Sequence, residues 1–101
     1  MESMLGPPRY HTFRVRGVLQ GHKVTVLIDS GASHNFIDAS LVDMREIPTE
    51  EFEGFTVIIP RGYKMECTRW IPKLKITMGN YTLGDDLFVV DVPDTNVVLG
   101  V

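Results

Sequence analysis

The sequence predicts an all-β domain of small-barrel or sandwich type. Three observations carry that reading: apolar and polar residues alternate in short runs, turn residues recur about every ten positions, and no stretch sustains a long helical period. The 101 residues suit one small domain and leave no room for a second. The expected organisation is a flexible leader over residues 1–9, where Gly6-Pro7-Pro8 interrupts any periodicity, followed by a single domain over 10–101.

Each element follows from its residues. In "HTFRVRGVL" (11–19) Phe13, Val15 and Val18 punctuate polar neighbours, Gln20-Gly21-His22 supplies turn chemistry, and Lys23 to Asp29 returns as the second arm of a hairpin. That arm is nearly all apolar from Val24 to Ile28, as expected of a central strand covered on both faces. "SGASHNF" reads as a loop, and Phe36 to Arg45 as a short strand or one or two helical turns with Asp38 as cap. Beyond Pro48 the acidic "TEEFEG" reads as a solvated connection. Two hairpins complete the chain. Phe55–Ile59 and Tyr63–Trp70 flank Pro60-Arg61-Gly62, while Leu74–Met78 and Tyr81–Val92 flank Gly79-Asn80. A last apolar run, Val97-Val98-Leu99-Gly100, follows Pro93 and "DTN".

Composition narrows the function. A net charge of −3 gives no general field for nucleic acid, so a nucleic-acid-binding module is disfavoured. No apolar run is long enough to span a bilayer and the N-terminus lacks the apolar core of a signal peptide, so a soluble, cytoplasmic product is expected. The lone Cys67 has no partner for a disulfide and reads as a small buried hydrophobe. His11, His22 and His34 show no metal-ligand spacing with it, and Asp85, Asp86, Asp91 and Asp94 miss the calcium-loop pattern. Neither a metal nor a cofactor is expected.

The chemistry lies in "VTVLIDSGASHNF". A near-continuous apolar strand runs straight into Asp29, although an ionised group beside a core costs several kcal/mol unless it is paired or used (about 3–5 when a partner is missing). Ser30 and Gly31 then leave the backbone free to turn and a second chain free to approach. Two carboxylates brought together cannot both ionise, so such a pair holds an acid and a base at one pH and activates water. For Asp29 alone the ordinary reading is a strand-end aspartate bonded to nearby amides. The apolar-apolar-Gly at Val98 to Gly100 tips the balance towards catalysis.

With both motifs in view, "LIDSGASHNFI" and "VVLG" resemble a retropepsin, the homodimeric aspartic protease of retroviruses and long-terminal-repeat retrotransposons. More narrowly, "VTVLIDSGASHNFI" and "DTNVVLGV" look like the protease segment of plant gypsy-type retrotransposon Gag-Pol polyproteins. The resemblance implies a small closed retropepsin-like barrel with one short helix at most, each chain being half of a homodimer. It implies Asp29 as the single catalytic carboxylate of each subunit, supported by Ser30 and Gly31. Ala32, Ser33 and His34 would line the cleft with Val98, and Leu99 and Gly100 would form the second motif behind the catalytic loop. Arg61, Gly62 and Tyr63 stand where the family has its flap, the hairpin that closes over peptide. His34 by itself is more often a surface histidine than a base. The family usually continues past the second glycine into a short helix and a subunit-joining strand, which these residues do not include. The implied activity is cleavage of the element's own polyprotein within its particle, without nucleic-acid or membrane contact by this domain. The alternative is an idle or domesticated dimerisation or peptide-binding module on the same fold.

Overall fold

In the computed structural model, residues 12–58 and 64–100 are described. The expected leader over 1–9 and the residues Arg61, Gly62 and Tyr63, expected at a flap, lie outside them. The described chain is nearly all-β with one short helix. β1 (Thr12–Leu19) and β2 (His22–Asp29) form an antiparallel hairpin. Gln20 and Gly21 make its two-residue turn, both at positive φ (48° and 80°), which suits the right-handed twist of the paired strands.

Phe36 to Arg45 resolves the ambiguity of the sequence by being both things in turn: β3 (Phe36–Asp38) runs directly into α1 (Ala39–Met44). Asp38 occupies the cap position but its side chain does not cap the helix. Instead its carboxylate accepts the Val92 N–H at 2.9 Å, tying β3 to a residue 54 positions further along the chain. Helix α1 buries Val42, and the chain leaves it through Ile47, whose N–H donates to the Val42 carbonyl at 3.0 Å.

The acidic stretch corrects an expectation. Rather than a solvated connection, Glu50 opens β4 (Glu50–Ile58), which pairs antiparallel with β5 (Lys64–Met78). Glu50, Glu51 and Glu53 are exposed on a strand that, among the described residues, is bonded to one neighbour, so the charges mark the wet face of an edge strand. The runs Tyr63–Trp70 and Leu74–Met78, expected as strands of separate hairpins, belong from Lys64 onward to one strand. β5 runs through Pro72 with a bulge between Ile71 and Leu74, where Lys73 adopts φ 51° and its N–H, lost to the ladder, donates to the Asp86 carboxylate at 2.9 Å. β6 (Tyr81–Val90) and β7 (Val97–Gly100) complete the chain.

The strands make one seven-stranded sheet in the order β1-β2-β7-β3-β6-β5-β4, and a Val18–Thr77 pair joins β1 to β5. That pairing brings the sheet back on itself. β7 lies between β2, to which it is parallel, and β3, to which it is antiparallel.

Two apolar clusters cover opposite faces of this central layer. Val24, Val26, Ile37, Leu87, Val89, Val97 and Leu99 enter the first; Leu27, Phe36, Phe88, Val90 and Val98 enter the second. Successive side chains of these strands thus go to alternate cores, which is why Val26-Leu27-Ile28, Phe36-Ile37, Leu87–Val90 and Val97-Val98-Leu99 are apolar at consecutive positions rather than at every second one. Each fully buried Val, Leu, Ile or Phe contributes roughly 1.5–3 kcal/mol.

Cys67 is fully buried in the second cluster, its thiol directed at the Arg69 and Val89 carbonyls. Burial pushes the thiol up from its ordinary value of 9.0, partly offset by hydrogen bonding and by the charge of Arg69. A raised folded-state value stabilises the fold fully below the pH at which the unfolded thiol ionises, and that contribution drains away as pH rises through the folded value. Denaturant midpoints are therefore expected to fall between about pH 8 and pH 10 in the wild type, and by less in Cys67→Ala. An equal fall in both would remove Cys67 from the account.

Candidate active site

β2 delivers Asp29 to the point where the strand ends, 5% exposed. One carboxylate oxygen accepts the Gly31 N–H at 2.8 Å, and the Asp29 carbonyl accepts the Ala32 N–H at 3.2 Å. Side chain and backbone of one residue therefore both close the turn over Ser30 and Gly31, a tight path that small residues permit. Asp29 stands two residues after Leu27, so it shares the face of the second cluster.

β7 places Gly100 directly beside Asp29 in parallel register. Its N–H donates to the Asn35 side-chain oxygen at 2.9 Å. A Cβ on Gly100 would lie 2.6 Å from the Ala32 carbonyl oxygen and 3.0 Å from that of His34, so the loop after Asp29 passes over bare backbone. Close approach, not backbone conformation, demands the glycine here. Just before β7, the Asn96 side-chain oxygen accepts the Thr25 N–H of β2 at 2.7 Å, and the Thr95 hydroxyl donates to the Thr25 carbonyl at 3.1 Å. These bonds fix how far β7 slides along β2, and so where Gly100 meets Asp29.

Most residues singled out from the sequence meet at this place. Ser30, Gly31, Ala32, Ser33 and His34 form the loop that leaves Asp29, and Leu99 and Gly100 lie alongside it on β7. Ser30, Gly31, Ser33 and His34 are exposed, and the Ser33 hydroxyl lies 2.8 Å from His34 Nδ1. Val98, expected to face substrate, is completely enclosed beside Phe36 in the protomer, and Leu99 packs into the opposite core. Arg61, Gly62 and Tyr63 are outside the described residues.

Asn35 was not visible from the sequence. Its side chain holds Gly100 while its own carbonyl accepts the Phe88 N–H at 2.9 Å, so one residue ties the Asp29 loop to both β7 and β6. The only available signal was an amide side chain standing last in a loop, just before a buried strand. Asn35→Ala leaves the part-buried Gly100 N–H without this acceptor, and a loss of about 1–3 kcal/mol in denaturant unfolding is expected. A loss below about 0.5 kcal/mol would mean that the bond is replaced at no cost.

Comparison with known families decides the identity of this arrangement. The sequence matches the family described as retroviral aspartyl protease over residues 13–101. The chain belongs to the retroviral aspartyl protease family. No curated protein sequence matches it. As a retroviral aspartyl protease it falls in the aspartic class, whose chemistry needs a carboxylate at a water-accessible edge of a rigid apolar support. Asp29 ends a strand covered on both faces and is itself buried in the single chain, while Ser30 and Gly31 after it are exposed. The Asp-Ser-Gly of this retroviral aspartyl protease occurs once in the 101 residues, so one chain carries one such turn.

Proposed function

We propose that the chain is an aspartic endopeptidase working as a homodimer, in which the Asp29 residues of two subunits activate one water between them. The observation that carries this reading is a single buried Asp29, held at a strand end by the Gly31 N–H and set against Gly100, in a chain with one Asp-Ser-Gly. One carboxylate cannot serve as base and acid in the same step; two that share a proton can. The ionised member takes a proton from water, whose oxygen attacks the peptide carbonyl carbon. The protonated member gives its proton to the carbonyl oxygen, yielding a neutral tetrahedral diol. Collapse breaks the C–N bond as the leaving nitrogen takes up a proton, with no acyl-enzyme formed.

The substrate we propose is the Gag-Pol-like polyprotein of a plant gypsy-type long-terminal-repeat retrotransposon, cut at apolar sites inside the element's cytoplasmic particle. Support comes from the likeness of "VTVLIDSGASHNFI" and "DTNVVLGV" to that group. In this reading Ala32, Ser33 and His34 line the cleft, and the hairpin carrying Arg61, Gly62 and Tyr63 closes over the peptide. Hydrolysis needs one ionised and one protonated carboxylate, so the rate falls when both protons are lost and when neither is. A fluorogenic peptide assayed between about pH 4 and 7 is expected to be cleaved fastest on the acidic side of neutral. Silence across that range at high protein concentration would favour the idle binding module instead.

A further inference from the structure

The net charge of −3, which disfavours nucleic acid when averaged over the whole surface, is unevenly spread. Alternate residues of β1, β2 and β5 face the first cluster, among them Val15 and Leu19, Val24 and Val26, and Leu74 and Ile76. The residues between them therefore face away from it, and there the cations stand: Arg14 and Arg16 on β1, Lys23 on β2 and Lys75 on β5, all exposed. The register makes these one surface rather than three. Val18 lies opposite Lys23 on one side and opposite Thr77 on the other, with Arg16 two residues before it and Lys75 two residues before Thr77. Two residues along a strand span about 7 Å, so Arg14 and Arg16 are spaced by that distance, and Lys23 stands diagonally next to Arg16.

Among the described residues these four side chains enter no hydrogen bond or ion pair, whereas Arg45 and Arg69 reach His22 and Asp43. The acids that border the face are occupied or covered: Asp86, past Thr82 and Gly84 on β6, accepts the Lys73 N–H at 2.9 Å, and Asp29, opposite Thr12, is buried. Like charges held this close on a rigid sheet repel one another, and an anion that bridges them relieves the repulsion. Such a partner has to present several negative charges at regular spacing. A phosphodiester strand carries one per nucleotide. A second copy of the chain would offer the glutamates of β4, at the far end of the strand order from β1, but the successive Glu50 and Glu51 point to opposite faces. A lipid surface calls for apolar anchors, and among the described residues this row exposes one large apolar side chain, Val18.

We propose that this face binds a nucleic-acid strand through its phosphates, responding to charge and spacing rather than to bases, since phosphate contacts carry no sequence information. The proposal goes beyond the peptidase reading, and its test neither needs nor reports hydrolysis. Fluorescence anisotropy of the full chain with a labelled single-stranded RNA of mixed sequence, titrated from about 50 to about 200 mM salt, is expected to show the logarithm of the binding constant falling linearly with the logarithm of salt concentration, with a slope of about −3 for four contacts. Arg14→Gln combined with Arg16→Gln removes two of them, so the slope drops to about half and binding at the lowest salt weakens by about tenfold or more. Lys23→Gln combined with Lys75→Gln, on the other two strands, has the same effect, and either pair decides the matter if the other fails to fold in a thermal melt. Lys64→Gln, an exposed cation at the opposite end of β5, changes neither slope nor affinity. Absence of binding at the lowest salt, or an unchanged slope in both double variants, overturns the proposal. Self-association in sedimentation that the double variants abolish while RNA binding persists would give the face to a second copy and overturn it too. Binding to vesicles of phosphatidylserine and phosphatidylcholine in place of RNA would do the same in favour of a membrane.

Discussion

Asp29→Asn is expected to remove peptide hydrolysis, by about 10²–10⁴-fold or down to background, while leaving the fold intact. The substitution keeps a side-chain oxygen where the carboxylate accepts the Gly31 N–H at 2.8 Å, so the turn over Ser30 and Gly31 has no reason to open. It removes the ability to take up or give a proton. In a dimer it also removes the repulsion between two close carboxylates, so assembly should be no weaker than in the wild type. Rates with a fluorogenic peptide and a thermal melt, taken on the same samples, separate the two effects. Hydrolysis that survives the change would assign the activity to another group; a collapsed melting transition would make Asp29 structural.

Gly100→Ala acts on the same site through backbone alone. The added methyl would meet two carbonyl oxygens, of Ala32 at 2.6 Å and His34 at 3.0 Å, and neither is the movable end of a side chain. Either the loop after Asp29 shifts or β7 does, and the Asn35 bond to the Gly100 N–H is lost with them. A destabilisation of about 1–3 kcal/mol is expected in denaturant unfolding. Hydrolysis should fall by more than the unfolded fraction explains, because displacement of the loop by even 1 Å costs orders of magnitude in rate, about 10²-fold. Gly84→Ala, in open surroundings, provides the comparison for a strand glycine. Full activity in Gly100→Ala would show that the contact between the two motifs does not position the carboxylate.

The first hairpin was legible because its alternation and its Gln20-Gly21 turn are both local, and the Gly79-Asn80 turn between β5 and β6 was legible for the same reason. The acidic stretch was misread because two signals act together in β4. Its glutamates face water, and the Gly54 bulge shifts the phase of alternation, so Phe52, Phe55 and Val57 show no single period. Tyr63–Trp70 and Leu74–Met78 were read as separate strands, yet the bulge at Pro72 and Lys73 lets one strand continue through, and Asp86 supplies the missing acceptor at Lys73. At the site, the pairing of Asp29 with Gly100 could be anticipated only through resemblance to a family, since nothing local links residues so far apart. Asn35 could not be anticipated at all. Its bond to Gly100 spans 65 positions and depends on where β7 inserts between β2 and β3.

Co-refolding wild-type chains with Asp29→Asn chains at constant total concentration addresses the shared site itself. If each active unit takes one Asp29 from each of two subunits, activity follows the square of the wild-type fraction, and an equal mixture retains about one quarter of it. Activity that instead falls in direct proportion, to about one half in the equal mixture, would mean that one chain holds a complete site and would contradict the shared pair.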